Sequence, residues 1–303
     1  MWHLILKYKI CLVLVTSLSF SQSKFNTFLT SSDTLNKPRR NAIILSEASI
    51  ATLSLIGLNE LWYADFERSK FQFINDNDEW LQMDKVGHVF SSYQLGRLGA
   101  NMLNWSGVNK KDQLLYGATL GFGYLTAVEV LDGYSKAWGF SWGDILANGA
   151  GTGLYIGQEL LWKEQRIDIK YSFHQTKYAS LSPDKLGKSF LEQTLKDYNG
   201  QTYWLSANLY SFFKSSKLPK WLNLAVGYGA NGMLSGVEDI DNQMLITNSR
   251  YRQFYLSFDV NLKHIKTESL LLRTVLDVFN VIKIPFPTLE FNKNRCVFHL
   301  FYM

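Results

Sequence analysis

The sequence is poor in the residues that build covalent or thiolate-metal scaffolds. Its 303 residues include only two cysteines, Cys11 and Cys296, together with five histidines and five prolines. It has no Cys-x-x-Cys pair and no paired Cys/His tract, so nothing in it supports a thiolate zinc site. If Cys11 lies in a leader that is removed, an internal disulfide is excluded as well. The fold must then be held together by packing and hydrogen bonds.

A strong charge bias is also missing. The 31 basic and 26 acidic residues give a net charge of +5, spread along the chain without a basic stripe. This argues against a nucleic-acid partner. No Gly-x-Ser-x-Gly, His-Glu-x-x-His or phosphate-loop motif is present. What the chain has in abundance is apolar residues, at 47%, and aromatic residues, at 15%. Tyrosine and tryptophan favour surfaces with one wet and one oily side.

The N-terminus has the pattern of an export signal. Lys7 and Lys9 precede a short apolar stretch from Ile10 to Leu18, and the small residues of Ser19-Phe20-Ser21 occupy the usual cleavage positions. The pattern predicts a signal peptide over residues 1–21 and a mature chain beginning near Gln22. An uncleaved membrane anchor is the alternative. No lipid attachment is predicted, because Cys11 lies within the apolar stretch and lacks the small neighbours of a lipid acceptor.

The first half of the mature chain is predicted to be helical. Residues 22–41 are polar and predict a flexible lead-in, and residues 42–164 form a helical domain. Glycines recur at four-residue spacing in the third and fourth apolar segments, a spacing that lets helix backbones approach closely. We expect a bundle of about four membrane-type helices with a polar centre, and Asp112 and Ser141 are candidate N-caps. The segments are Ala42–Tyr63, Lys85–Trp105, Asp112–Leu131 and Ser141–Trp162, and the glycines are Gly117, Gly121, Gly149, Gly153 and Gly157.

The second half, residues 165–303, alternates apolar and polar residues with a period of two. Such alternation predicts strands, and about six are expected, with one helix near 267–283. The chain is therefore predicted to be an α+β protein with an antiparallel, β-rich C-terminal half. Its aromatic strands are similar to those of outer-membrane proteins. Whether they form part of a barrel wall or a periplasmic sheet is left open. The clearest strands begin at Ile167, Leu222 and Phe254, and weaker ones cover Tyr203–Phe212, the stretch reaching Phe291, and Arg295–Tyr302.

Charge placement disfavours the inner membrane. If four helices spanned it after export, most flanking basic residues would lie on the outer side, against the positive-inside rule. We therefore expect an exported protein, associated with the outer membrane rather than free in the periplasm. Membrane lipid or other envelope components are its expected partners. The basic residues concerned are Lys37, Arg39, Arg40, Lys110, Lys111, Lys163 and Arg166.

A polar constellation lies among the helices. Asp84 and His88 are four residues apart, as are Asp144 and Asn148, so each pair shares a helix face. Glu129 lies near the end of the third segment. Antiparallel packing would bring the start of the second helix, the end of the third and the start of the fourth to one end of the bundle. These five residues are therefore predicted to converge.

Three interpretations of this cluster are open. It is a buried network that fixes helix register, or a hydrolase or transferase site for an envelope lipid or glycan, or a metal site. In the second interpretation, His88 is the general base and Asp84 or Asp144 orients it. In the third, His88, Asp84, Glu129 and Asp144 bind Zn, Mn or Fe. A binding or transport-assembly role is the remaining possibility. The sequence leaves open whether the protein is an enzyme.

Other conspicuous residues have simpler interpretations. His174 and His264 alternate with apolar neighbours and are expected to face solvent. The segment Asp65–Glu79, with aromatic residues among acids, is predicted to be a structured loop. A lid over the polar cluster is the alternative for this segment.

The pattern Asp84-Lys85-x-x-His88, followed by Tyr93, Glu129 and Asp144-x-x-x-Asn148 with glycines, resembles the YfiM-like family of envelope lipoproteins. A looser similarity extends to the VanZ-like membrane family, some members of which affect resistance to glycopeptide antibiotics. The resemblance covers about residues 83–157. It implies an envelope location and a shared polar site, and it implies no particular reaction.

Overall fold

A computed structural model of the chain describes residues 25–60, 67–237, 250–293 and 295–302. The predicted signal peptide, its cleavage site and Asp65 lie outside the described residues. The fold mixes helices with an antiparallel sheet of six strands, as the α+β prediction required. The longer helices are α1 (Lys37–Leu58), α2 (Met83–Trp105), α3 (Lys110–Gly133) and α4 (Trp142–Trp162). The strands are β1 (Phe73–Ile74), β2 (Phe140–Ser141), β3 (Ile167–Phe173), β4 (Gln201–Asn208), β5 (Leu222–Asn231), β6 (Tyr251–Val260), β7 (Phe286–Asn292) and β8 (Arg295–Tyr302).

Shorter helices fill the connections between strands. Two of them correct the predicted boundaries: the predicted strand Tyr203–Phe212 ends at Asn208 and is followed by a turn of helix, and the helix expected near 267–283 is shorter. In each case an N-cap side chain, Asn208 or Ser269, binds the backbone and starts the helix. The short helices are α5 (Tyr178–Leu181), α6 (Pro183–Leu186), α7 (Phe190–Lys196), α8 (Leu209–Phe212) and α9 (Leu270–Phe279).

Helix α1 begins at Lys37, five residues before the predicted start, and it ends at Leu58. Asn36 caps it by accepting a hydrogen bond from the Arg39 amide, and Pro38 fits the first turn. The predicted flexible lead-in therefore contains the first helical residues. α1 packs only lightly on α2, and 6% of its apolar 18-residue stretch is buried. The expected compact bundle of four helices thus reduces to three close-packed helices with α1 at the side.

Glycines determine how closely α2, α3 and α4 pack. A Cβ at Gly117 would lie 2.6 Å from the Ala100 amide nitrogen, and one at Gly121 would lie 2.8 Å from Ser92 Cα. Gly151 of α4 makes the equivalent contact with the Val89 carbonyl of α2. The expectation for Gly149, Gly153 and Gly157 is wrong. A Cβ at Gly153 or Gly157 would meet no atom of another element within 4 Å, and one at Gly149 would make only an ordinary contact with a Phe122 ring carbon. The face of α4 that meets α2 runs through Gly151 instead.

Two helices in the described part of the chain are long and apolar enough to cross a membrane. They are α1 and α3. α3 contains a π-helical stretch from Gln113 to Gly117 and begins at Lys110. Its N-cap is Asn109, which accepts from the Asp112 amide, and not Asp112 as predicted. The cap predicted for α4 is confirmed, since Ser141 accepts from the Asp144 amide at 3.2 Å.

The six strands follow one another across the sheet in the order β3 to β8. The sheet is curled. Tyr302 of β8 hydrogen-bonds both Thr202 of β4 and Tyr255 of β6, contacts that are possible only across a concave side. The free edge of β3 is partly covered by residues 281–283, which form a parallel bridge with Tyr171. The remaining pair, β1 and β2, is short and parallel and ties the 67–79 loop to the start of α4.

The sheet buries its polar face. Along β6, Gln253, Ser257 and Asp259 are buried, whereas the alternating residues Phe254 and Phe258 are 51% and 45% exposed. The same inversion holds on the neighbouring strands. Ser206, Asn208, Asn223, Thr288 and Glu290 are buried, and Leu205, Leu224, Val226, Leu289, Phe291, Phe298 and Leu300 are exposed. A water-soluble sheet shows the opposite pattern.

Strand register arranges the exposed apolar residues in rows. Phe254, Phe291 and Cys296 are paired in sequence across β6 to β8, beside the half-buried Tyr228 of β5. The next row consists of Leu205, Val226, Leu256, Leu289 and Phe298. Because successive rows are two residues apart, they are about 7 Å apart along the strands. The outer face is thus a continuous apolar surface.

Ion pairs and hydrogen bonds satisfy the polar side chains on the concave side of the sheet. The Lys170 ammonium lies 2.7 Å from Asp259, and both side chains are fully buried. Asp168 accepts from Lys263 at 2.6 Å and from Asn280 at 3.2 Å. The Tyr93 hydroxyl of α2 also reaches the Ile167 carbonyl and Asp168. The interior of the sheet is therefore polar and paired, and it is joined to the helices.

The glycine contacts predict a matched pair of stability effects. Gly121→Ala should destabilise the protein by about 1–3 kcal/mol, because the added methyl group meets the Ser92 backbone and the helices must separate. Gly153→Ala meets nothing within 4 Å and should stabilise α4 by about 0.5–1 kcal/mol, since alanine is the better helix former. Thermal unfolding of both variants in the same detergent tests this. Equal melting temperatures would contradict the packing described here.

Candidate functional site

The start of α2 is set by a strained turn. Trp80, Leu81 and Gln82 have positive φ angles of 49°, 52° and 65° in succession. Such angles are costly for residues with side chains and persist only when the surroundings impose them. Here the Trp80 amide donates to the Gly236 carbonyl at 2.9 Å, and the Tyr228 hydroxyl donates to the Leu81 carbonyl. The turn fixes the direction in which the first residues of α2, including Asp84, Lys85 and His88, project.

Ser141 fixes the start of α4 and joins it to two carboxylates. Its hydroxyl caps α4 through the Asp144 amide and donates to Asp76 Oδ1 at 2.6 Å. Its backbone amide donates to Glu129 Oε2 at 3.2 Å. Asp76 lies in the loop after β1, and Glu129 lies in the last turns of α3. One residue thus links the loop, the end of α3 and the start of α4.

Lys85 is the cation at the centre of the carboxylates. Its ammonium lies 2.6 Å from Asp76 Oδ2, 2.9 Å from Asp144 Oδ1 and 3.5 Å from Asp84 Oδ2. Burial alone would raise the pKa of Asp76. The hydrogen bonds from Lys85 and Ser141 and the lysine charge outweigh burial, so the pKa of Asp76 lies below its usual range. Asp76 is therefore held as a carboxylate.

His88 lies opposite Lys85. Its Nδ1 is 3.0 Å from Asn148 Oδ1, which can only accept, so Nδ1 carries the hydrogen. Its Nε2 is 3.6 Å from Glu129 Oε1 and 3.9 Å from Asp144 Oδ1. Both distances are too long for a hydrogen bond. In a neutral imidazole, the Nε2 lone pair therefore faces two carboxylate oxygens.

Asp84 connects the cluster to a cavity. Its Oδ1 accepts from the Tyr198 hydroxyl at 2.7 Å. The cavity has a volume of about 310 Å³ and lies between the helices and the sheet. The polar part of its wall consists of Asp84, His88, Ser91, Thr194 and Gln201. Most of the rest is aromatic or apolar, with Phe90, Leu125, Tyr171, Leu195, Tyr198 and Tyr203.

The charges of the cluster do not balance within it. Asp76, Asp84, Glu129 and Asp144 surround one lysine and one histidine. Glu129 and Asp144 are buried, at 2% and 3% exposure. Buried carboxylates without a counter-charge are costly. With all four carboxylates ionised, two negative charges would remain even with His88 protonated. Burial raises the pKa of Glu129 to about 8 and that of Asp144 to about 6, so the arrangement favours protons or a cation between these groups.

The structure brings together all five residues singled out in the sequence, Asp84, His88, Glu129, Asp144 and Asn148. Four further participants were missed. Lys85 could have been included, since it lies within the same motif, and Ser141 was recognised only as a cap. Asp76 lies in the 65–79 segment, for which a lid was the alternative, but it was not singled out there. Tyr198 carries no local signal, because a loop distant in sequence delivers it.

Two of the simpler interpretations can also be placed. The part of the 65–79 segment that the structure describes forms an ordered loop, in which Phe71 and Phe73 pack against Phe140. It also supplies Asp76 to the cluster. His174 is exposed, with its ring 6.1 Å from that of Tyr302, so the expectation that it faces solvent is confirmed. The His264 ring binds the Lys220 carbonyl outside the cluster.

Comparison with known proteins gives one partial match. Residues 72–156 match a family described as predicted periplasmic lipoprotein, DUF2279. Searches of curated proteins and of solved structures found no match to the chain. The matched segment contains the whole helical part of the cluster, from Asp76 to Asn148, and stops before the sheet. The family description names no activity and carries neither the YfiM nor the VanZ name. Over this segment the chain is similar to predicted periplasmic lipoproteins, which supports an exported protein of the cell envelope.

Proposed function

We propose that the protein is embedded in the outer membrane and that its His88 cluster binds a divalent metal ion. The inverted sheet is the observation that supports the membrane location. Its outer face exposes rows of large apolar side chains while its inner face pairs polar ones. In water, such a surface far exceeds the apolar patches that soluble monomers expose. In lipid, it is the pattern of outer-membrane strands.

The ends of the structure support the same location. Trp162 and Trp221 lie where α4 ends and β5 begins, and Arg166 stacks on the Trp162 ring at 4.9 Å. Lys220 stacks in the same way on Tyr210 at 5.0 Å. Aromatic rings beside cations are typical of the boundary between lipid and water. Export together with a β-rich fold favours the outer over the inner membrane.

A charged substitution distinguishes lipid from water around the sheet. Leu256→Lys should lower the free energy of unfolding by about 2–4 kcal/mol in lipid bilayers, because a lysine near the middle of a lipid-facing strand is poorly solvated. The matched control is Leu181→Lys in a loop helix outside the sheet, which should change stability by less than about 0.5 kcal/mol. Chemical unfolding from vesicles measures both.

Two results would contradict the membrane proposal. One is a Leu256→Lys variant as stable as the wild type, because a water-facing position tolerates lysine. The other is a full-length protein that alkaline carbonate releases from isolated membranes.

The metal proposal is supported by the arrangement around His88. Asp84, His88 and Asp144 offer ligand atoms that all lie within 4.8 Å of one another. His88 Nε2 lies 3.6 Å from Glu129 Oε1 and 3.9 Å from Asp144 Oδ1, close to the separation of about 3–4 Å between ligands that bind one metal ion at about 2.0–2.2 Å. Asn148 holds Nδ1 and leaves Nε2 for the metal, as partners of ligating histidines commonly do. One imidazole with carboxylates suits Zn, Mn or Fe.

Replacing His88 tests this site. His88→Gln should abolish the rise in melting temperature that Zn²⁺ or Mn²⁺ produces in the wild type, because the variant loses the nitrogen ligand. His264→Gln is the matched control, since its ring binds only the Lys220 carbonyl among the contacts described, and it should keep the response. Elemental analysis of purified wild type gives the ion and its stoichiometry.

A purely structural cluster predicts different results. The wild type would then be free of metal and unresponsive to it. His88→Gln would lose about 1–3 kcal/mol of stability from the partner left unpaired. That combination would reject the metal proposal and favour a network that fixes helix register.

The cavity favours a second candidate function, hydrolysis or group transfer on an envelope lipid. Its aromatic wall suits an acyl chain, and Asp84 and His88 stand where a polar linkage would lie. In this role Asp84 acts as base or orients the reacting group, and Tyr198 holds it in place. A divalent ion bound by the cluster would add Lewis-acid chemistry beside the cavity.

Asp84→Asn tests the second candidate. Release of fatty acid or headgroup from phospholipids in mixed micelles should fall by about 100-fold or more, because the amide cannot accept a proton. The control is Asp184→Asn, an exposed carboxylate paired with Lys188 on α6, which should leave turnover unchanged. Equal turnover by wild type and Asp84→Asn, or none by either, would remove this candidate.

A further inference from the structure

Four cationic side chains surround a second depression, of about 600 Å³, at one end of the sheet. They are Arg250, Arg252, Lys293 and Arg295. Tyr251, Phe254 and Phe291 also line it, and none of its described lining residues is acidic. We propose that this depression binds the phosphate-bearing headgroup of an anionic lipid. The proposal rests on the membrane location proposed above and concerns a site separate from the His88 cluster.

The depression lies directly at the edge of the apolar face. Arg252 is two residues before Phe254 on β6, so their side chains project from the same face of the sheet. Phe254 is paired with Phe291 in the first exposed apolar row. Arg295 opens β8 at the same end of the sheet, opposite Asn292. It starts from the face opposite to that of Phe254, and its exposed side chain also lines the depression. A lipid whose chains covered this row would carry its headgroup at the level of the arginines.

Hydrogen bonds and a ring contact position three of the cations. Arg252 donates to the Gln82 side-chain oxygen at 2.6 Å, a contact that directs the guanidinium without cancelling its charge. Arg250 donates to the carbonyls of Gly236 and Ser235 at 2.8 and 3.1 Å. Lys293 stands over the Tyr251 ring at 5.8 Å. Guanidinium groups bind phosphate oxygens in pairs, so arginines prearranged in this way suit a phosphate monoester or diester.

Continuity with the apolar face favours a lipid over a free anion. A site for inorganic phosphate would need only the cations. Here Phe254 and Phe291, 51% and 43% exposed, extend the same wall away from the charged edge. This combination offers an amphiphile two contacts at once, one for its phosphate and one for its chains.

Binding of short-chain lipids to the full-length protein tests the proposal. The protein is kept in a neutral detergent and titrated calorimetrically with dihexanoyl phosphatidylglycerol, dihexanoyl phosphatidylcholine and inorganic phosphate. Phosphatidylglycerol should bind at least tenfold more tightly than the other two. The double variant Arg252→Gln, Arg295→Gln should weaken it about 30-fold, which corresponds to about 1 kcal/mol for each charge.

A matched variant controls for net charge. Lys111→Gln with Lys185→Gln removes two exposed cations elsewhere and should leave the affinity unchanged. If the Arg252 double variant does not fold, the single variant Arg295→Gln, at an exposed strand end, should weaken binding about fivefold.

Three outcomes would overturn the proposal. They are equal binding of the two lipids, unchanged affinity in the arginine variants, and inorganic phosphate binding as tightly as phosphatidylglycerol, which would indicate a free-anion site. Because these titrations are done in micelles, they report on the headgroup site even if carbonate extraction removes the protein from membranes. Failure of this proposal and failure of the membrane location can therefore be told apart.

Discussion

The buried pairing of polar side chains inside the sheet is the constraint on which the rest of the structure depends. Lys170 and Asp259 meet at 2.7 Å with no exposure to solvent, and Asp168 binds Lys263 and Asn280. Removing one partner of such a pair leaves a buried charge, which is strongly destabilising. With the polar residues committed to the concave side, strand alternation sends the leucines and phenylalanines outward. A sheet of this kind calls for an apolar surrounding, which lipid would provide in the membrane location that we propose.

The helices solve a different problem, which is to bring short polar side chains together. Asp84, His88 and Asp144 can meet only if the backbones of α2 and α4 nearly touch. Gly151 allows that contact against Val89, and Gly121 does the same between α3 and Ser92. Larger residues there would separate the helices, and the distances of 3.6–3.9 Å around His88 Nε2 would lengthen. The packing glycines therefore determine the geometry of the site as much as its polar side chains do.

The sequence predicted well whatever depends on local spacing. Four-residue spacing placed Asp84 with His88 and Asp144 with Asn148, and the cap at Ser141 follows from a single polar residue before an apolar run. Alternation found the strands but left the buried face undecided, because a period of two is the same whichever side faces the interior. Asn36 and Pro38 carried a helix-start signal that their polar surroundings obscured. Asp76 lies in the 65–79 segment, for which a lid over the cluster was the alternative, but nothing local indicated its pairing with Lys85. Tyr198 could not have been found, since only a tertiary contact brings it to Asp84.

Gln82 connects the two candidate sites. It is the last of three residues with positive φ, and it directly precedes the helix that carries Asp84 and His88. Its side-chain oxygen accepts from Arg252 at the basic edge of the sheet, where Arg250, Arg252, Lys293 and Arg295 line the depression. Its side-chain nitrogen donates to the Asn77 carbonyl in the loop that also supplies Asp76. An anion that drew Arg252 toward itself would therefore pull on a contact that supports the strained turn. Strained backbone is retained where its surroundings impose it, and here those surroundings include both the polar cluster and the basic edge. The two candidate sites thus depend on the same strained turn at one end of the sheet, although the ligands proposed for them differ in charge and size.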